Sequence, residues 1–432
     1  MTSVRVITLG CSKNTVDTEH LLAQLPADAF EIVPEDSDGP VDYLLINTCG
    51  FIGDAKEESI QTILEAVQSG NAGKVAVFGC LSQRYASEMP QLIPEVDAWF
   101  GARDLRPVVE YLGARWNPDA LRAITSPSKG YAYLKISEGC DRRCSYCAIP
   151  FIRGAHRSVP MEDLVKEASF LASKGVKELI LIAQDTTYYG LDIYGRRALA
   201  ELLARLSEVP GIEWLRIHYS YPADFPEDVL EQMASNPKVC KYMDIPLQHI
   251  SDRVLGNMHR HVDGRWTREL IARMRSKVPG VALRTTMIVG HPGESREDFG
   301  ELLQFVHDAR FERLGAFMYS EEEGTWGAAH LADDVPPEEK QRRLDELMTE
   351  QAAISLECNR SRIGTVEKVM VDDWVDGTLV CRSRYESPEV DGEILVAMAS
   401  EADARALVGN FVNVRIVGAD CYDLTAELLQ GC

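Results

Sequence analysis

The ten residues Glu138–Cys147, reading EGCDRRCSYC, restrict this chain more than any other stretch. Cys140, Cys144 and Cys147 stand in a C-x-x-x-C-x-x-C array directly behind the apolar run Tyr131–Ile136. Such a run predicts a buried strand, so the three thiols fall in its exit loop. Thiolates are soft ligands that select zinc, copper(I) or iron–sulfur clusters. A structural zinc asks for a closed set of four, and no fourth ligand lies nearby in sequence. On a four-iron cluster, three thiolates leave one iron without a protein ligand, unlike the usual four-cysteine set. That open iron is a place for a small molecule to coordinate. The bland alternative, three buried or zinc-binding cysteines, is disfavoured by this spacing behind a strand.

The array resembles the radical S-adenosylmethionine (SAM) superfamily, whose open iron chelates the SAM amino and carboxylate groups. Tyr146 fills the aromatic position before the last cysteine, as that family favours. The resemblance implies an α/β chain with a partial (β/α)6 barrel around this site.

The first third carries the same signature in another form. Residues 4–11, 42–49 and 74–80 are apolar runs of strand length that end in Cys11, Cys49 and Cys80. Helical periodicity separates them, over 17–24 and 55–68. Strands alternating with helices predict a parallel sheet, in which ligands sit beyond the carboxyl ends of the strands. All three cysteines therefore share one sheet edge, which predicts a second three-thiolate iron–sulfur site. The stretches LGCSKNTVDTE, NTCGFI and GCLSQRY resemble the N-terminal domain of the methylthiotransferases, a radical SAM subgroup with an auxiliary cluster. LGCSKN is closer to the RimO branch than to the transfer-RNA branch, which reads nearer FGCQMN. TVDTE departs from the LVDSE of RimO sequences without touching a presumed ligand. A linker is expected over Trp116–Pro127.

The middle of the chain alternates strand and helix, with strands expected over 131–136, 178–183, 213–219, 241–245, 282–289 and 313–319. Pro160 and Pro226 fit helix starts, Gly175 fits a helix stop, and Ser295 with Asp298 forms a capping box. Barrel active sites lie at the carboxyl ends of the strands. The residues behind each strand therefore outline the pocket: the three cysteines, Gln184 and Asp185, Ser220 and Tyr221, Gln248 and His249, Gly290, His291 and Glu294, and Ser320 and Glu321. Tyr146, Gln184, Asp185, Ser220, Gln248, Arg284 and Gly290 are the expected SAM contacts. Gln248 and His249 could instead cap a helix, and Arg284 could pair with a carboxylate. His291 stands in GHPGE, where the family more often has GFPGE. Arg153, His156 and Arg157 read as packing or charge-binding residues. The acidic run before Gly324–Thr325, with Glu322 and Glu323, again resembles RimO sequences, where transfer-RNA enzymes tend to carry Arg-Pro.

Pro336 and Pro337 open a long helix through about Cys358. Beyond Gly364, short alternating strands predict a small β-barrel that resembles a TRAM domain, and RSRYESPEVDG matches the RimO form. The expected domains are 1–120 (auxiliary cluster), 126–358 (radical SAM core) and 361–432 (TRAM).

Composition narrows the partners. The net charge is −22, and residues 366–432 hold five bases against thirteen acids. Nucleic-acid binders show a basic footprint, so a basic protein partner is expected and free nucleic acid is not. Eleven cysteines, an odd number spread over a long chain, argue for reduced thiols and metal ligation over disulfides. Cys358, Cys381, Cys421 and Cys432 share no spacing and read as structural or free. The first residues lack a secretion signal and no run reaches membrane-span length, which predicts a cytoplasmic protein.

Together the three segments resemble the RimO-type methylthiotransferases. The resemblance implies two [4Fe-4S] clusters, on Cys11/Cys49/Cys80 and on Cys140/Cys144/Cys147, and conversion of C–H to C–SCH3 at the β-carbon of an aspartate. The implied substrate is small-subunit ribosomal protein twelve, free or on the ribosome. One SAM would methylate a sulfur on the auxiliary cluster; the other would be cleaved to the radical that abstracts hydrogen. An electron donor and a sulfur donor are implied as partners. The competing readings are a transfer-RNA adenosine methylthiotransferase with the same clusters and a non-catalytic iron–sulfur protein that binds RNA or ribosomes.

Overall fold

The computed structural model describes residues 1–125 and 130–429. Pro127 of the expected linker, residue 126 at the expected start of the core domain, and Cys432 lie outside them. Three sheets follow one another along the chain. The first is parallel: β1 (Thr2–Thr8), β2 (Phe30–Val33), β3 (Val41–Thr48), β4 (Ala72–Gly79) and β5 (Ala98–Trp99), in the order β2-β1-β3-β4-β5. The three strands read from sequence are its centre. β2 and β5 are edge strands of four and two residues, too short to show a period. Helix α1 (Ser12–Leu22) leads from β1 to the edge strand β2, and α2 (Gly53–Ser69) crosses between the central strands β3 and β4. The first starts earlier than its apolar period suggests because Cys11, in extended conformation, is its N-cap.

The second sheet begins with β6 (Tyr131–Lys135), which runs into a two-stranded ribbon, β7 (Ser137–Glu138) with β8 (Arg157–Ser158). It continues through β9 (Glu178–Ile182), β10 (Trp214–Ile217), β11 (Val239–Asp244), β12 (Ala282–Val289) and β13 (Arg313–Met318). Six strands lie in chain order, every neighbouring pair parallel. Side chains alternate between faces. Leu134, Leu179, Leu181, Leu215, Leu283 and Met287 point outward into one core shared with the surrounding helices. The other face carries Lys135, Glu178, Arg216, Asp244 and Arg284, all joined in ion pairs. A parallel strand buried on both faces normally reads as a continuous apolar run; here the inner face interleaves these charged residues with apolar and aromatic ones.

The caps read from sequence are present. Pro160 and Pro226 are the N-caps of helices Met161–Ser173 and Glu227–Ser235. Gly175 has φ +100 behind the first of these, and Ser295 with Asp298 closes a capping box. The long helix spans Pro337–Arg360 and sinks Leu347 and Ile354 into the main core.

The third sheet is a closed barrel of β14 (Val366–Val375), β15 (Thr378–Arg382), β16 (Ile394–Ala397), β17 (Phe411–Ala419) and β18 (Leu424–Leu428). The expected small barrel is present with five strands; β18 completes the ring, and a helix, Glu401–Leu407, joins β16 to β17. Among the described residues no helix is long and apolar enough to cross a membrane.

The two flanking units close the inner face of the six-stranded sheet from opposite ends. Met370, Tyr385 and Phe411 of the barrel pack on Trp214, Cys240, Tyr242 and Ala282, near the amino ends of the strands. Val16 of α1 packs on Tyr131, Tyr133, Ile180 and Ile182. The carboxyl rim thus faces the cysteine edge of the first sheet.

Candidate active site: two cysteine triads that share a wall

β1, β3 and β4 deliver Cys11, Cys49 and Cys80 to one edge. Gly10 has φ +92, and a Cβ there would lie 2.7 Å from Cys49 Cβ and 3.0 Å from its Sγ, so the two loops touch where only glycine fits. Asn14 donates to Leu9 O (2.7 Å) and Thr48 O (3.2 Å), while Asn47 donates to Asn14 O (2.9 Å). These asparagines of the LGCSKN and INTC stretches tie the first two cysteine loops together. Ser59 on α2 accepts from Cys49 N (3.0 Å) and donates to Cys49 O (2.9 Å). The three thiols are close enough to perturb one another electrostatically.

Cys140, Cys144 and Cys147 occupy the loop behind β7, and they too interact electrostatically. The loop is braced from two sides: Ser145 N donates to Met258 O (3.0 Å) and Gly327 N donates to Ser145 O (2.7 Å). Gly139, at φ +79, sits so close to Ala155 that a Cβ would fall 2.1 Å from its carbonyl.

Around this loop the rim residues divide into two groups. Gln184 donates to Glu138 (2.7 Å), yet its Oε1 is buried without a partner, as are Ser220 Oγ and Gln248 Oε1. Buried polar atoms are normally satisfied, so these three atoms are vacant acceptors or donors. Tyr146 stands edge-on to His291, with ring centroids 6.4 Å apart. The other expected contacts are engaged by protein. Asp185 accepts from Thr187 N (2.9 Å), Thr187 Oγ1 (2.6 Å) and Arg142 Nε (2.9 Å). Arg284 pairs with Asp244 (2.8 Å) and with Asp391 of the barrel (3.5 Å). Gly290 N donates to Glu294 (2.6 Å), and a Cβ at Gly290 would lie 2.3 Å from Lys340 Cγ. His249 belongs to both groups: its Nδ1 accepts from Ser251 N (3.0 Å), while its Nε2 is buried without a hydrogen-bond partner. Burial lowers its pKa to about 3 and that of His291 to about 4, so both imidazoles are neutral.

The two triads share a wall. Cys80 packs directly on Ala148 and Ile152, which follow Cys147 in sequence. Arg153 fills the gap behind them: Nε donates to Cys80 Sγ (3.2 Å), Nη1 to Asp17 (2.6 Å) and Glu138 (3.2 Å), and Nη2 to Asn14 (2.6 Å). Lys135 joins the same carboxylates, at 2.7 Å from Glu138. Burial alone would raise the Glu138 pKa, but the two cations outweigh it and hold it at about 2. Arg260 approaches Cys144 Sγ at 3.7 Å. Each triad thus has one guanidinium against a thiol. Burial nevertheless pushes Cys80 and Cys140 up to about 12, so metal loading must displace protons. Sequence reading missed Arg260 altogether and gave Arg153 only a packing or charge-binding role; position behind Cys147 was its one signal.

Glu322 has a different place from the one its acidic run suggests. It is buried between the first two sheets, paired with Lys56 (2.9 Å) and Arg84 (2.8 Å) of the first. Glu321 and Glu323 on either side are exposed.

Among the described residues no three or more His, Cys, Asp or Glu are placed to hold a single metal ion. Three soft thiols per set and vacant polar atoms at the rim beside one of them suit iron–sulfur clusters with a small ligand.

Known proteins place these features. Residues 3–101 match "Uncharacterized protein family UPF0004", 134–306 the radical SAM superfamily and 363–429 the TRAM domain. Among solved structures, the radical SAM methyltransferase TsrM from Kitasatospora setae aligns with a TM-score of 0.56 at 14% identity, over 74% of this chain and 75% of that one. The radical SAM enzyme OxsB aligns at 0.51 and 13% identity, over 82% and 56%. Both likenesses concern the fold. The curated protein "Ribosomal protein uS12 methylthiotransferase RimO" of Porphyromonas gingivalis is 50% identical over 99% of both chains. The protein of the same name from Bacteroides fragilis is 49% identical over 99% of both chains. The Cytophaga hutchinsonii protein, again so named, is 49% identical over 99% of this chain and 98% of its own. With its two triads in the matching segments and half of its residues shared end to end, the chain belongs to the RimO family of radical SAM methylthiotransferases.

Proposed function

We propose that this protein inserts a methylthio group at the β-carbon of an aspartate in ribosomal protein uS12, using SAM and two [4Fe-4S] clusters. The observation that carries the reading is the shared wall: Cys80 of one triad packs on the residues that follow Cys147 of the other. Chemistry begun at one site and finished at the other needs that adjacency. Cys11, Cys49 and Cys80 would hold the auxiliary cluster, and Cys140, Cys144 and Cys147 the SAM-binding one. When bound, the clusters and SAM supply the radical and the sulfur, which is the usual division between cofactor and protein.

The chain's own residues bind and orient. Gln184, Ser220 and Gln248 offer their unpaired atoms to SAM, and Tyr146 walls the pocket. Asp185, Arg284 and Gly290 frame it, their polar groups already engaged by Arg142, Asp244 and Glu294. Arg153 and Arg260 keep water from the thiols they touch and offset negative charge there. The protein works in the cytoplasm, where a ribosomal protein is met, and takes electrons and sulfur from separate donors.

The test offers the anaerobically loaded protein SAM, sulfide and reductant, with uS12 and bulk transfer RNA together. Mass spectrometry should find the methylthio group on one aspartate peptide of uS12. Modified adenosine in place of it would overturn the substrate while leaving fold and chemistry intact.

A further inference from the structure

Among the described residues most buried cations come with carboxylates, Arg5 and Arg260 excepted. Lys135, Arg153, Arg216, Arg284 and Arg382 each pair with at least one. Lys13 does not. It is 8% exposed, and among the described residues it forms no hydrogen bond or ion pair. Its ammonium lies over the Tyr219 ring, 3.0 Å from the centroid. Asp244, an acid of that rim, is committed to Arg284 and to Tyr219 N. A ring face is a weaker partner for an ammonium than a carboxylate would be, which leaves this charge able to take an anion.

Its place is informative. Lys13 is in the first turn of α1, two residues beyond Cys11, and Tyr219 directly precedes Ser220, whose hydroxyl is also unpaired. The ammonium therefore bridges the edge that bears one triad and the rim that bears the other. We propose that Lys13 binds the carboxylate of the substrate aspartate and thereby selects an acidic side chain over a nucleobase. The proposal rests on the reading of uS12 as substrate. A carboxylate held there presents its own β-carbon between the two triads and supplies the missing counter-charge.

The test uses the full, cluster-loaded chain, wild type and Lys13→Met, which keeps the apolar stem. Each is given uS12 with its target aspartate intact or changed to asparagine, and dissociation constants are measured anaerobically. A hydrogen bond to a charged group is worth about tenfold or more in affinity. The wild type should prefer aspartate by about that factor, and Lys13→Met should hold the two alike. Both cluster signals in electron paramagnetic resonance and substrate-free SAM cleavage should persist in the variant. If Lys13→Met loads poorly, Lys13→Gln gives the same ratio. A variant that still discriminates aspartate from asparagine overturns the proposal while uS12 stands as substrate. A wild type that leaves uS12 unmodified sinks the substrate reading and the proposal together.

Discussion

Arg153 gathers a thiol, an amide and two carboxylates from three separated stretches of chain, and its side chain is almost wholly buried. Removing one partner of a buried ionic network leaves uncompensated charge and costs about 3–5 kcal/mol. Arg153→Gln should lose that much stability in anaerobic denaturant titrations, because Lys135 is then the one cation left to Asp17 and Glu138. Arg153→Lys should lose less, since it keeps the charge but not the fork that reaches several acceptors at once. Equal losses for both would mean that shape, not charge, decides. The cysteines separate differently. Cys140→Ala should abolish SAM cleavage, whereas Cys11→Ala should retain cleavage and form no methylthio product. Deoxyadenosine and modified peptide, quantified in the same reaction, read the two outcomes apart.

At the scale of elements, several acids of the C-terminal barrel are engaged by protein partners. Glu389 accepts from Tyr131 (3.0 Å) and Tyr133 (2.8 Å), Asp391 from Tyr242 (2.6 Å), and Glu386 pairs with Arg313 (3.0 Å) and with Arg362. Burial would raise the Glu386 pKa, but Arg362, Arg313 and Ser383 outweigh it and hold it at about 2. A folded-state value below the unfolded one, near 4.5, contributes stability above pH 4.5 that is lost as pH falls through 2. For Glu386 this is about 3 kcal/mol. Glu386→Gln should therefore be less stable at pH 7 and show a shallower fall between pH 4.5 and 2; an unchanged slope would place the acid sensitivity elsewhere. This docking was not legible in the sequence, where acids read as surface. The legible parts were those carried by local pattern: apolar runs for β1, β3, β4 and the six-stranded sheet, cysteine spacing for the triads, and Pro and Ser-x-x-Asp for helix starts. β2, β5 and β18 escaped, the first two for want of length. Arg260 on Cys144 spans 116 residues, and Lys13 on Tyr219 is likewise a contact made only by folding. Residue type announces a ligand, but a positioning cation is defined by what surrounds it.

Over the whole molecule, the charge of −22 is a long-range field, and Lys13 is a short-range reader; ionic strength separates them. Like charge discourages a phosphate backbone, and the same field accelerates encounter with a basic ribosomal protein. Because Asp372, Glu386 and Asp391 are spent on internal ion pairs, the C-terminal barrel presents fewer free acids than its composition suggests. The attraction then belongs to the chain as a whole. Exposed charges are screened beyond about 10 Å at 0.1 M salt and about 3 Å at 1 M, whereas buried contacts are screened far less. Raising salt from about 0.05 to about 0.5 M should therefore lower kcat/KM for uS12 steeply while kcat stays constant. The preference for aspartate over asparagine should not move. If kcat/KM held constant as well, capture would be governed by the site alone. If the preference faded with salt, the carboxylate would be read at the surface and not at Lys13.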